Sequence, residues 1–450
     1  MAYTALEKMR KFNEERFKRD LGPFPPAIDN FKTGMDLKSA ALRFIHERCE
    51  GLLFDVEIEA NEEKSGNYMG ASLKPNQIPY NMERDIDRLC LARSLENFFD
   101  SGTVEDAYTV YYCYIEMFMG RYGESKRMVE FLSEYETNGS SLLMKHRDHF
   151  SHSVYVFALG LAIYETNEKF RCTFNQHYSL VEGNCKNGRS PKLANYFLIY
   201  WGLTSLFHDI GYPFELPFEQ VLSYFEADKK TRGVGCMYFA YRDTDLLITL
   251  DDVEREHFKK LFEKEFNSIE EVFAYDIMKK LGELYILDEK QLHTAIANKP
   301  THPEYCNFYM DHAYFSAVRL YRELVKCLNV QNITLTHIDA LTAILLHNSL
   351  FKFSIAFYKD EKKHKDPLRA ELHPLAYLLM LCDELQCWDR TAYGRNSRTE
   401  LHPMAAGFDF SQNAVSVTYY FDEEEKKRLT ILKRNTNCGK AQVERRKNHD

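Results

Sequence analysis

Five apolar helical stretches, each with a histidine or an aspartate at its polar end, constrain this chain more than any other feature. "KHRDHFSHSVYVFALGLAIY" carries His146, His149 and His152, and "LTSLFHDIGYP" carries His208 and Asp209. "YMDHAYFSAVRLY" holds His312, "HIDALTAILLHNSLF" runs into His347, and "HPLAYLLMLCDELQCWDR" places Asp383 directly after "LLMLC". Runs this apolar must be buried, and the polar groups attached to them go in as well. An uncompensated neutral polar group costs on the order of 2–7 kcal/mol to bury. One such residue is satisfied by a local hydrogen bond. Five on separate helices call for a common partner. A divalent cation is the simplest, since neutral imidazole and carboxylate are its usual ligands.

The rest of the chain suits a helical protein. Only 20 Gly and 13 Pro interrupt 450 residues, so long stretches are free to be helical. Hydrophobic residues make up 45% and charged residues 28%, an ordinary globular balance that argues against wholesale disorder. A net charge of −9 gives no electrostatic footprint for nucleic acid, which is not expected as a partner. No apolar run reaches the roughly 18 residues of a membrane span. The charged start "MAYTALEKMRKFNEERFKRD" lacks the apolar core of a secretory signal. The 11 cysteines are scattered with no CxxC pair, which suits a reduced, cytoplasmic setting.

The expected fold class is mainly α, in three parts. Residues 1–135 form a mostly helical N-terminal region, broken early by "LGPFPPAIDNF" and "KPNQIPYN". In it "MERDIDRLCLARSLENFF" places Ile86, Leu89, Leu91 and Leu95 near helical spacing, followed by the turn "DSGT". Residues 136–400 form a helical core interrupted by an insertion at about 214–308, where "DVEREHFKKLFEKEFNSIEEVFAYDIMKKLGELY" reads as amphipathic helix. Residues 401–450 hold a small β element, "FDFSQNAVSVTYYFD" with "KRLTILKRN", and a solvated tail.

The order His152, His208–Asp209, His312, His347, Asp383 resembles the HD-domain superfamily of metal-dependent phosphohydrolases. Its minimal signature is His…His-Asp…Asp on a helical core, and two further histidines before the last Asp typify its dinuclear members. The resemblance runs from about residue 141 to 390 and implies an HD-like helical bundle. "HSVYVFALGLA" looks like the family's first helix, which favours His152 over His149 as the first ligand. It implies His152, His208, Asp209, His312, His347 and Asp383 as ligands of one or two divalent ions, whether Mn, Fe, Zn, Co, Ni or Mg. Gly211-Tyr212-Pro213 looks like the name of the HD-GYP phosphodiesterases. Their GYP element is a separate downstream motif, so the coincidence carries no substrate information, and Gly211 and Pro213 read as the end of the helix.

The chemistry implied is hydrolysis of a phosphate ester or anhydride, in a nucleotide or a phosphorylated small molecule. Asp209, His149 and Arg147 are the expected catalytic groups, with Lys352 and Arg319 as cations for the substrate phosphates. His146, His337 and His373 read as structural, and the oligomeric state is left open. The same six-residue order also resembles a diiron oxygenase branch of the superfamily. A third alternative is a non-catalytic HD module that binds a nucleotide as a sensor.

Overall fold

The computed structural model describes residues 35–49, 82–119, 127–130, 132–133, 149–182, 193–213, 248–285, 288–297, 312–347, 368–386, 405–411 and 415–420. Among these the chain is mainly α, with one small antiparallel sheet. The helices are α1 (Leu37–Arg43), α2 (Met82–Ser101), α3 (Val104–Phe118), α4 (His149–Thr166), α5 (Glu168–Glu182) and α6 (Leu193–Leu206). They continue as α7 (Asp252–Phe262), α8 (Ile269–Tyr285), α9 (Glu289–Ala297), α10 (His312–Leu328), α11 (Leu335–Leu345) and α12 (Pro374–Leu385). A π-helical turn, Phe44–Arg48, extends α1, and a 3₁₀ turn, Val330–Asn332, joins α10 to α11.

Local chemistry sets several of these boundaries. Asp36 caps α1 by accepting from the Ser39 N–H at 2.7 Å, and Asp251 forms a reciprocal capping box with Glu254 at the start of α7. The expected "DSGT" turn separates α2 from α3. Gly102 takes φ 63°, which a Cβ would disfavour, and Thr103 then caps α3. The helical spacing read in "MERDIDRLCLARSLENFF" forms α2, with Leu91 and Leu95 buried and Leu89 48% exposed. Two residues on a helix are separated by about 200°, so Leu89 faces away from Leu91.

Helices α4 and α6 are buried nearly all round and form the centre of the molecule. They approach closely because Gly160 leaves room for the Trp201 ring, whose Nε1–H donates to the Phe157 carbonyl at 2.8 Å. Around this pair pack α3, α11 and α12, with α10 on α11. The hairpin pairs β1 (Ala405–Phe410) with β2 (Val415–Tyr420), from Ala405↔Tyr420 to Phe410↔Val415. Phe408 and Phe410 alternate onto the buried face, and Met35 bridges to Phe410. "KRLTILKRN" and the tail lie outside the described residues.

Two of the histidines read as structural are helix caps. At the start of α12, His373 Nδ1 accepts from the Ala376 N–H at 3.3 Å. At the start of α11, His337 Nδ1 accepts from the Thr334 N–H at 3.1 Å, and burial pushes its pKa down to about 3. Between about pH 3 and 6.5 the unfolded chain therefore holds a proton on this ring that the folded chain refuses. Stability is full above pH 6.5 and is lost as the pH falls toward 3, a slope of about 1.4 kcal/mol per pH unit for one proton. Replacing His337 with Gln is expected to cost stability at pH 7.5. Below about pH 6 the deficit against the parent should shrink by about that slope, as urea denaturation at stepped pH would read. A deficit constant with pH would contradict it.

Candidate metal centre

The six expected ligands come from five places in the fold. His152 lies in the first turns of α4, which also begins on His149. The His208–Asp209 pair is not on a helix: α6 stops at Leu206, and the pair sits in a turn that follows. The Ile210 N–H reaches the Phe207 carbonyl and the Tyr212 N–H reaches the Asp209 carbonyl, at 3.4 and 3.1 Å. Adjacent side chains are therefore freed from the 100° helical separation and point into one space. His312 opens α10, His347 lies two residues beyond α11, and Asp383 is in the last turn of α12.

These groups meet at their metal-binding atoms. His152 Nε2 lies 3.3 Å from His208 Nε2 and 3.1 Å from Asp383 Oδ1. His312 Nε2 lies 3.1 Å from His347 Nε2. Asp209 stands between the two sets. Its Oδ2 is 3.6 Å from His152 Nε2, and its Oδ1 is 3.3, 3.5 and 3.8 Å from the Nε2 atoms of His208, His312 and His347. An ion with bonds of about 2.1 Å holds neighbouring donors roughly 3.0–3.4 Å apart, in octahedral or tetrahedral order. Most of these separations fall in or near that range. Two groups, His152–His208–Asp383 and His208–Asp209–His347, each bring one ligand atom per residue within 4.8 Å of the others.

Two further observations test whether a cation fits. His208 Nδ1–H donates to the Ser205 carbonyl at 2.8 Å, and His347 Nδ1–H to the Ile344 carbonyl. His152 Nδ1 is held by Gln386 Oε1. A carbonyl only accepts, so these Nδ1 atoms carry the protons and the Nε2 atoms are bare acceptors. The His152 and His208 lone pairs thus face each other at 3.3 Å, an arrangement a cation relieves. Among the described residues, Asp209 Oδ2, buried, also finds no hydrogen-bond partner. These buried His and Asp groups can hold a metal ion.

The electrostatics agree. Burial, against the pull of Asp209, pushes the His208 pKa down to about 3, so the imidazole is neutral and its lone pair available near pH 7. Burial by itself would raise the Asp209 carboxyl. The surrounding His208, His347, His312 and His152 outweigh it and hold Asp209 well below the usual carboxylate range. A neutral His208 imidazole beside an ionised Asp209 carboxylate is a donor pair suited to a divalent ion. The set is sealed except at one side: Asp383 is 21% exposed, while the other five side chains are nearly inaccessible.

Of the remaining expected site residues, His149 and Arg319 are described and do not belong to the two ligand groups. His149 packs on Tyr212, with ring centroids 4.0 Å apart. Arg319 pairs with Glu323 on α10 at 2.8 Å. Arg147 and Lys352 lie outside the described residues. Gln386, which follows α12 three residues beyond Asp383, was not anticipated. Gly211 also does more than end a helix. Its N–H donates to Ser316 Oγ at 2.8 Å, and a Cβ there would lie 2.1 Å from the His312 carbonyl oxygen.

No protein-family model matches this chain, and no curated protein and no solved structure matches it. Among the described residues no helix is long and apolar enough to cross a membrane.

Proposed function

We propose that the chain is a metal-dependent phosphohydrolase of the HD-domain type, acting on a nucleotide or a phosphorylated small molecule. The observation that carries this reading is Asp209, whose Oδ2 faces His152 while its Oδ1 faces His208, His312 and His347, so that one carboxylate touches every histidine of the cluster. A carboxylate so placed suits a pair of divalent ions, one on His152, His208 and Asp383, the other on His312 and His347. Ions held there would supply Lewis-acid chemistry, lowering the pKa of a water and drawing charge from a phosphoryl oxygen.

The chain's own residues supply the frame for that chemistry. Ser205, Ile344 and Gln386 fix three imidazoles in the Nδ1–H tautomer and aim their Nε2 atoms inward. The apolar walls from α4, α6 and α11 exclude bulk water, which strengthens charge interactions within. Asp383 keeps an exposed edge, and a phosphoryl group would enter from that side. Arg147, His149 and Lys352 are proposed to serve the substrate, and Arg319 would first have to leave Glu323. The setting proposed is the cytoplasm.

The deciding experiment is phosphate release from a panel of nucleotides and sugar phosphates, with Mn, Co, Zn, Fe or Mg added and the products identified. Hydrolysis of at least one, abolished by Asp209→Asn, is the expected result. Oxygen uptake by an iron-loaded sample without phosphate release would replace this reading with the oxygenase. Tight nucleotide binding without turnover would replace it with a sensor module.

A further inference from the structure

The turn that carries Asp209 goes on to place Tyr212 between histidines of two different helices. His149 and Tyr212 have ring centroids 4.0 Å apart at 33°, and Tyr212 and His312 have centroids 4.0 Å apart at 11°. Two rings cannot share one face of a phenol at that distance, so His149 and His312 take opposite faces. Tyr212 is fixed in this position by its own turn and by its neighbour. Its N–H donates to the Asp209 carbonyl, and the adjoining Gly211 N–H donates to Ser316 Oγ, one turn along α10 from His312. The segment bearing Asp209 is thereby pinned to the helix bearing His312.

The consequence concerns ring orientation. The χ2 torsion of histidine is broad, and a metal-binding imidazole needs something to set its plane. Hydrogen bonds at Nδ1 do this for His152, His208 and His347. The His312 ring lies nearly parallel to the Tyr212 ring, and that face restrains its plane. We infer that Tyr212 is a positioning residue for the His312–His347 half of the centre, holding the His312 ring so that Nε2 meets His347 Nε2 and Asp209 Oδ1. Because both faces of Tyr212 are taken, it does not stack a nucleobase, and it keeps His149 off the ligand atoms. The inference rests on the metal reading of the site and adds a residue to it that no ligand pattern contains.

Cobalt titration of metal-free protein, followed by absorbance and by bound metal per chain, separates the two. The parent is expected to bind two ions. Tyr212→Phe, which keeps the ring, should bind both as the parent does. Tyr212→Leu should bind one ion within about 3-fold of parent affinity and the other roughly 10–100-fold more weakly, the usual effect of losing an outer partner. The absorbance of the weaker ion should change with it. Should the Leu variant fail to fold, Tyr212→Met fills the volume without a flat face and gives the same readout. Two ions bound by the folded Leu or Met variant at parent affinity would overturn the inference. So would a Phe variant as impaired as Leu, or a parent that binds a single ion insensitive to Tyr212. A parent that binds no cobalt would overturn the metal reading itself, a result visible before any variant is made.

Discussion

Replacing His208 and Asp209 together with alanine should abolish metal binding by this protein while leaving its helical signal intact. The pair belongs to both halves of the cluster. His208 contributes to each of the two ligand groups, and Asp209 faces four Nε2 atoms. Zinc sites of four ligands are worth about 10–16 kcal/mol, or about 3 kcal/mol per ligand on an even split. One ligand is then worth roughly 100-fold in affinity and two at least 10⁴-fold. Metal per chain after dialysis against a weak chelator should fall from two to near zero in the variant. Circular dichroism should stay close to that of the parent, because the pair lies in a turn after α6 rather than within a helix. The parent should also melt lower once stripped of metal, by about 4 kcal/mol if the ion is normally present at 1,000 times its dissociation constant. Full metal retention in the double variant would remove the centre from consideration.

The second large effect is expected at Gly211. An added Cβ would lie 2.1 Å from the His312 carbonyl oxygen, 2.7 Å from the Ser316 nitrogen and 2.9 Å from Ser316 Oγ. Two of these are backbone atoms of the first turn of α10, so no rotamer change relieves the clash. The turn and the helix must separate, which breaks the 2.8 Å bond from Gly211 N–H to Ser316 Oγ and draws His312 away from Asp209. Overpacking of this kind costs about 1–3 kcal/mol, and the lost hydrogen bond about 1 kcal/mol more. Gly211→Ala is therefore expected to lose about 2–4 kcal/mol in urea denaturation and to weaken the ion on the His312 side. Ser316→Ala serves as the comparison. It removes the hydrogen bond without the clash and should cost only about 1 kcal/mol. Equal losses in the two variants would show that the close approach carries no weight.

The ligand-bearing helices could be read from the chain because apolar runs ending on His or Asp leave few ways to satisfy a buried polar group. The mainly α class, the "DSGT" turn and the C-terminal hairpin were legible for similar local reasons, in periodicity and turn chemistry. Only the tertiary contacts set the phase of α2, which leaves Leu89 on its exposed side. The functions of Gly211 and Tyr212 were hidden for a different reason. In the sequence they look like a helix stop, and only the position of α10 turns one into a point of close approach and the other into a wedge between His149 and His312. Gln386 was hidden in the same way, since an amide at i+3 from Asp383 matters only once His152 is beside it.

By itself the sequence determined which helices are buried and which polar groups they carry inward, since burial and periodicity are properties of neighbouring residues. Only the tertiary structure decided that these groups converge. Distances of 3.1–3.8 Å between residues up to 231 positions apart depend on how α4, α6, α10, α11 and α12 pack, and no local pattern encodes that. The same packing set the His152 tautomer and the His312 ring plane, through the Gln386 amide and the Tyr212 ring, whereas the Ser205 and Ile344 carbonyls act on histidines only three residues along the chain.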